Sequence, residues 1–185
     1  MLKITSQFRE EVEKESGEKV NLCYQCTKCT AGCPMAEEMD YSPTQIVHAV
    51  RLGLKEKVLN CKTIWVCASC ETCTTRCPQG VDIAKLMDTA RHLAIKEGIK
   101  VPDEVREIPL FFKTALKNIR TFGRMYEVGM IAALKLATGE YFKDLKLGYK
   151  MGLKGKLKIL PERTKGTSDV KKIFKKAMEI EGKKL

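Results

Sequence analysis

The sequence predicts an all-α, mainly helical chain, and three observations predict it. A four-cysteine motif occurs twice, as Cys23, Cys26, Cys29, Cys33 and as Cys67, Cys70, Cys73, Cys77, with a spacer of 33 residues between Cys33 and Cys67. Apolar residues in that spacer recur at helical rather than alternating spacing. Stretches of the same period follow the second motif and run towards the C-terminus.

Ser42 and Pro43 form an N-cap with proline at the first helical position, where its missing N–H costs nothing. Ile46, Val47, Val50, Leu54 and Val58 continue the apolar stripe. Asp82 caps a second helix carrying Ile83, Leu86, Met87, Ala90, Leu93 and Ala94, which ends near Gly98. Val101-Pro102-Asp103 breaks the chain, and Asp103 opens a third helical region. Pro109 is expected to interrupt it, after which Leu110, Phe112, Leu116, Ile119, Phe122 and Met125 keep the period up to Gly129. The Gly- and Lys-rich piece Gly148–Pro161 reads as extended or irregular. From Ser168 a last helix is expected, with Val170, Ile173, Phe174, Ala177 and Met178 on one face and lysines on the other.

Each cysteine motif has the form Cys-x2-Cys-x2-Cys-x3-Cys-Pro, and each ligand recurs 44 residues later, as Cys23 does at Cys67. A cubane has four iron corners, and a short turn presents three thiolates to three of them. The fourth, before proline, reaches across to the other cluster. The pattern therefore predicts two [4Fe–4S] clusters, one on Cys23, Cys26, Cys29 and Cys77, the other on Cys67, Cys70, Cys73 and Cys33. Pro34 and Pro78 fix the direction in which the chain leaves each site.

Two other uses of the cysteines fit less well. A disulfide framework suits a secreted chain, but nine cysteines is an odd number and the first twenty residues carry charges throughout with no apolar signal segment. Zinc also takes Cys-x2-Cys pairs. The triple spacing followed by Cys-Pro, twice, is the more specific signature of clusters. Cluster ligation is expected to supply much of the folding energy there, since aromatic residues are only 6% of the chain.

The charge is uneven. Residues 143–185 hold 14 Lys and Arg against 5 Asp and Glu, and residues 1–142 hold 20 against 18. Two clusters with their thiolates, each about −2, bring the formal +11 to about +7. The longest apolar stretch, Val128 to Leu134, is seven residues, far below a bilayer span. No transmembrane segment is expected, and the expected location is cytoplasmic.

The sequence resembles the C-type iron–sulfur subunits of the heterodisulfide reductase of methanogens. The likeness is carried by Asn21-Leu-Cys-Tyr-Gln-Cys-Thr-Lys-Cys-Thr-Ala-Gly-Cys-Pro34, by Asp40-Tyr-Ser-Pro43, and by Ile64-Trp-Val-Cys-Ala-Ser-Cys-Glu-Thr-Cys-Thr-Thr-Arg-Cys-Pro-Gln-Gly-Val-Asp-Ile83. It covers roughly residues 20–95. It implies an α-helical ferredoxin-like domain that relays electrons from a flavin-containing, iron–sulfur A-type partner to a catalytic B-type partner. The B-type partner reduces the CoM-S-S-CoB heterodisulfide in methanogenesis, and a hydrogenase or formate dehydrogenase supplies the electrons indirectly. The domain reading is 1–100 for the two-cluster ferredoxin domain, 101–142 for a helical extension and 143–185 for the basic tail with its amphipathic helix.

The chain has no Cys-Cys dipeptide, G-x-G-x-x-G or Walker A loop, so substrate and flavin chemistry are assigned to partners, and no catalytic residue is expected in this chain. Other oxidoreductases that combine flavin with an iron–sulfur chain use related domains and form the alternative. A cluster-containing nucleic-acid-associated regulator is a further one, but no nucleic-acid module is recognisable, so no nucleic-acid partner is expected. Cys61 reads as a buried free thiol, Trp65 as packing, and His48 and His92 as structural. Lys28, Lys62 and Arg76 read equally as cations that raise cluster potentials or as solvated flanks, and the backbone amides of Thr27, Thr30, Thr74 and Thr75 are candidate donors to sulfur. The tail is read as docking on an acidic partner protein, with a membrane surface as the alternative.

Overall fold

Every regular element among the described residues is a helix, as the sequence predicts. The computed structural model describes residues 6–139, 150–151, 154, 164 and 166–181. The chain divides into two units, Met1–Arg106 and Glu107–Leu185.

The first unit contains α1 (Ser6–Ser16), α2 (Lys28–Ala31), α3 (Pro43–Arg51), α4 (Lys55–Leu59), α5 (Thr63–Val66), α6 (Thr72–Thr75) and α7 (Ile83–Lys96). Helix α7 packs against α1, α4, α5 and α6, and α1 also meets α3. Their shared core includes Val12, Val20, Ile46, Val50, Leu59, Ile64, Leu86, Met87 and Leu93, all fully buried. Each such side chain contributes about 1.5–3 kcal/mol of transfer free energy, so this core can hold the short cysteine-bearing turns in place.

Local chemistry fixes where the two long inner helices begin. Ser42 Oγ accepts from the Gln45 amide at 3.4 Å while Gln45 Oε1 accepts from the Ser42 amide at 2.9 Å, a closed capping box with Pro43 at the first position. Asp82 Oδ1 accepts from the Lys85 amide at 3.0 Å at the start of α7. The stripe from Ile46 to Val58 is two helices rather than one. Gly53 adopts φ +69°, and the Leu54 amide folds back to the Ala49 carbonyl at 2.9 Å, a C-terminal stop that only a residue free of Cβ strain takes easily.

Asp40 joins the two halves of the unit. Its Oδ1 accepts from the Thr63 hydroxyl at 2.6 Å and the Thr63 amide at 2.9 Å, and its Oδ2 from the Lys62 amide at 2.8 Å. The Tyr41 amide adds a bond at 3.0 Å. Desolvation opposes ionisation of this carboxyl, but the donors from Thr63, Lys62 and Tyr41 outweigh it and hold it below its ordinary range. The start of α5, which leads into Cys67, is thereby tied to the segment that leaves the first motif.

The second unit contains α8 (Glu107–Phe122), α9 (Glu127–Thr138) and α10 (Thr167–Glu181). Pro109 does not interrupt a helix: it is the third residue of α8, within the first turn, where no intrahelical N–H bond is required. The period does not run on to Gly129 either. Gly123 adopts φ +79°, and Asn118, buried, brackets the break by accepting from the Tyr126 amide at 2.6 Å and donating to the Tyr126 carbonyl at 3.2 Å. Helix α10 packs on α8. Of the five expected apolar residues Val170, Phe174 and Met178 are half-buried, whereas Ala177 is exposed and Ile173 is 67% exposed, so the stripe is split by the four-residue step of the contact. The Gly148–Pro161 reading falls mostly outside the described residues.

Asp40→Asn replaces the acceptor facing Lys62 with a donor and is expected to cost about 1–2 kcal/mol, a value reduced by partial solvation. Because the carboxyl is depressed in the folded state, its contribution is complete above the ordinary carboxylate range and is lost as pH falls through the lowered value. Anaerobic thermal melts should show a lower Tm for the variant at neutral pH and a gap that narrows on acidification.

Candidate metal centre

Both cysteine loops turn on the same two backbone positions. Gln25 and Ser69, just before the second cysteine, have φ +61° and +47°, and Thr27 and Glu71, just after it, have φ +63° and +59°. They are the non-glycine residues with positive φ among the described residues. Each costs about 1–2 kcal/mol, and the β-branched Thr27 is the least suited to it. Strain repeated at equivalent places implies that the surrounding structure requires it. Left-handed residues on either side of the middle cysteine bend each loop into a concavity, here called a nest, that suits an anionic iron–sulfur core.

The thiols are gathered accordingly. One pocket is lined by Cys33, Cys67, Cys70 and Cys73, together with Met35, Met39, Pro43 and Met87. The last cysteine of the first motif thus stands among the first three of the second. In the other direction, the Tyr24 phenol is raised by desolvation and then by Cys26 and Cys77, so Cys77 lies within electrostatic reach of the first loop. Helices α2 and α6 are in contact, and at their ends Arg76 lies over Gly32, where a Cβ would come within 2.6 Å of its Cδ. Gly32 and Arg76 precede the two fourth cysteines, and the bare glycine makes room for the arginine. The donor set and the nests fit a pair of four-iron clusters.

The loops are anchored to the following helices by matched bonds. The Thr44 amide donates to Thr30 Oγ1 at 3.2 Å, and the Ala84 amide donates to Thr74 Oγ1 at 3.4 Å, each amide being the second of its helix. Arg51, at the end of α3, donates to the Cys23 carbonyl at 3.0 Å, and Arg91, in α7, donates to the Cys67 carbonyl at 2.8 Å. Arg91 also holds the Ile64 carbonyl at 2.8 Å. The cysteines repeat every 44 residues but the helices every 40, as Ser42 with Asp82 and Arg51 with Arg91 show, so the repeat contains a four-residue difference between motif and helix.

A family profile described as a 4Fe-4S dicluster domain matches residues 19–81. The C-type iron-sulfur subunit of the CoB–CoM heterodisulfide reductase of Methanopyrus kandleri is 40% identical over 156 residues, covering 74% of this chain and 80% of that protein. The chain belongs to the family of heterodisulfide reductase C-type subunits. The C-type member from Methanothermobacter marburgensis, named as part of an H(2):CoB-CoM heterodisulfide,ferredoxin reductase, is 33% identical over 99 residues, and the chain spans about half of it, 54%. Its counterpart in a ferredoxin:CoB-CoM heterodisulfide reductase of Methanosarcina acetivorans is 44% identical over 79 residues, 43% of this chain and 32% of that one.

In this heterodisulfide reductase family member the thiols differ in environment. Cys70 is exposed and held below the ordinary thiol range by the Thr72 hydroxyl and amide, whereas burial raises Cys67 and Cys73. The Ser69 and Thr74 amides oppose that rise by favouring the ionised Cys67 and Cys73 sulfurs. The Thr74 amide therefore acts on the Cys73 sulfur in the expected direction. Those of Thr30 and Thr75 do not, since they are taken by the Thr27 and Glu71 carbonyls at 2.9 and 3.0 Å. Ser69 escapes sequence reasoning because a left-handed position held by an ordinary residue carries no glycine signal, and Thr72 because its hydroxyl reaches Cys70 only once α6 has formed.

Of the flanking cations, Lys28 is exposed, Lys62 pairs with Glu104 at 3.6 Å and Arg76 spans both loops. Cys61 is buried and donates to the Val58 carbonyl at 3.0 Å, its thiol pushed up to about 11 chiefly by burial. Trp65 is buried, and His48 and His92 are exposed on their helices. No described helix is long and apolar enough to cross a membrane.

The nest geometry yields a sharp contrast at one position. Glu71→Gly should retain bound iron, because glycine accepts the left-handed conformation, while Glu71→Pro, which forces φ to about −65°, should strip iron from that loop. Iron and acid-labile sulfide assays on the two anaerobically purified variants check this.

Proposed function

We propose that this chain is the two-cluster electron relay of a soluble heterodisulfide reductase, carrying electrons from a flavin-containing A-type partner to a catalytic B-type partner that reduces the CoM-S-S-CoB heterodisulfide. One observation carries the reading: Cys33 stands in a single pocket with Cys67, Cys70 and Cys73, the crossed arrangement that two cubanes sharing a duplicated motif require. Cys23, Cys26, Cys29 and Cys77 would hold one [4Fe–4S] cluster and Cys67, Cys70, Cys73 and Cys33 the other. When bound, each supplies a centre that gains and loses one electron without bond making or proton transfer.

The protein's part is to bind, orient and bias. Thiolates supply the four ligands of each site, and crossed ligation fixes the two sites side by side. Loop amides such as Ser69 and Thr74 offset negative charge on sulfur, and Met35, Met39 and Met87 line the pocket with apolar surface that limits water. Docking on partner proteins is assigned to the basic C-terminal segment, a reading supported by its surplus of 14 cationic over 5 acidic residues and by Ile173 and Ile180, which are 67% and 78% exposed.

The anaerobic chain should contain about eight iron and eight sulfide per monomer. Cys77→Ser should damage the cluster of Cys23, Cys26 and Cys29 and spare its neighbour. The isolated chain should accept electrons from a strong donor yet leave the heterodisulfide intact. Heterodisulfide cleavage by the pure chain with an artificial reductant would overturn the relay role, and zinc in place of iron would overturn the cluster reading.

A further inference from the structure

The two loops share one backbone but not one electrostatic setting. At the first, the side chain of the left-handed Gln25 donates from Nε2 to Cys23 Sγ at 3.2 Å, and Arg51, holding the Cys23 carbonyl, is exposed and has no carboxylate partner among the described residues. At the second, the equivalent left-handed Ser69 turns its hydroxyl away from sulfur, donating to Asp88 Oδ1 at 2.9 Å, and the equivalent Arg91 is paired with that same carboxylate at 3.0 Å. At these equivalent positions the first loop therefore has a side-chain donor to sulfur and an unpaired cation, where the second has a neutralised ion pair.

Other neighbours act at both sites, the Ser69 and Thr74 amides beside Cys67 and Cys73 among them. Each site sets one threonine hydroxyl against a ligand sulfur, Thr44 at 3.1 Å from Cys29 and Thr72 at 3.4 Å from Cys70. Arg76, next to Cys77, packs over Gly32, next to Cys33, and so adjoins the fourth cysteine of each motif.

We propose that Arg51 and Gln25 on one side, and the Asp88–Arg91 pair on the other, are positioning residues that set the two clusters to different potentials, the cluster of Cys23, Cys26 and Cys29 being the higher. Reduction adds one negative charge to a cluster, so a nearby cation and a donor to sulfur both favour the reduced form, and a carboxylate disfavours it. An electron entering the chain rests at the Cys23 site. The inference rests on the two-cluster reading above.

The test is an anaerobic redox titration of the full holo-chain at low ionic strength, followed by electron paramagnetic resonance, with iron and sulfide counted first. A wild-type count well below eight would overturn the cluster reading itself, independently of the potentials. With two clusters present, Arg51→Gln should lower the higher midpoint and leave the lower one in place, while Arg51→Lys leaves both. The shift should be about threefold or more in the reduced-to-oxidised ratio at fixed poise, which at 59 mV per tenfold is about 28 mV.

Asp88→Asn keeps an oxygen to accept from Ser69 and Arg91 but removes the charge, so it should raise the lower midpoint by a similar factor and spare the higher one. A merely structural role predicts no movement from this substitution. If Arg51→Gln loses iron, Asp88→Asn decides alone. Movement of the wrong couple, or unmoved midpoints with iron retained, would overturn the proposal.

Discussion

The rest of the structure depends on one constraint: two short loops must lie close enough for Cys33 to stand among Cys67, Cys70 and Cys73. A chain that makes its fourth ligand locally could let the loops drift apart. Here the 33 residues between the motifs have to leave one loop and deliver the next beside it. They do so as α3, α4 and α5, three short helices whose apolar faces enter the core shared with α7. Asp40 closes the path by binding the start of α5 from the segment that leaves the first loop.

Holding the loops has a conformational cost, and the anchors are placed where it arises. Four non-glycine residues sit at positive φ, together unfavourable by several kcal/mol, on the order of a small domain's net stability. Against that stand the matched threonine and arginine bonds from α3 and α7, which are made twice in the same pattern. The strain is thus fixed by rigid helices rather than by the loops themselves, which keeps the thiols and amides preorganised for a multi-atom cluster. The second unit has a different character: among its described residues only Ala115 and Asn118 are buried, and large apolar side chains such as Phe112 and Leu136 remain exposed.

Much of this was legible in the sequence because it is local. Ser42 with Pro43 and Gln45, and Asp82, mark helix starts by side-chain chemistry that tertiary packing does not override. The cysteine spacing predicts a crossing, and the pocket that Cys33 shares with Cys67, Cys70 and Cys73 agrees with it. What escaped depends on backbone state or distant partners. The apolar stripe continues across Gly53 and hides the helix end there, and Pro109 looks like a break although it falls in a first turn. The left-handed Gln25, Thr27, Ser69 and Glu71 look like ordinary loop residues. Arg51 and Arg91 become a pair only once the helices are seen to repeat every 40 residues and the cysteines every 44.

The crossed tie between the loops is tested most directly by locating iron. Anomalous diffraction at the iron edge, from anaerobically grown crystals of the holo-chain, should show two four-iron centres, one bounded by Cys33, Cys67, Cys70 and Cys73 and the other by Cys23, Cys26, Cys29 and Cys77. Single metal ions, or two clusters each held by the four consecutive cysteines of one motif, would contradict the account.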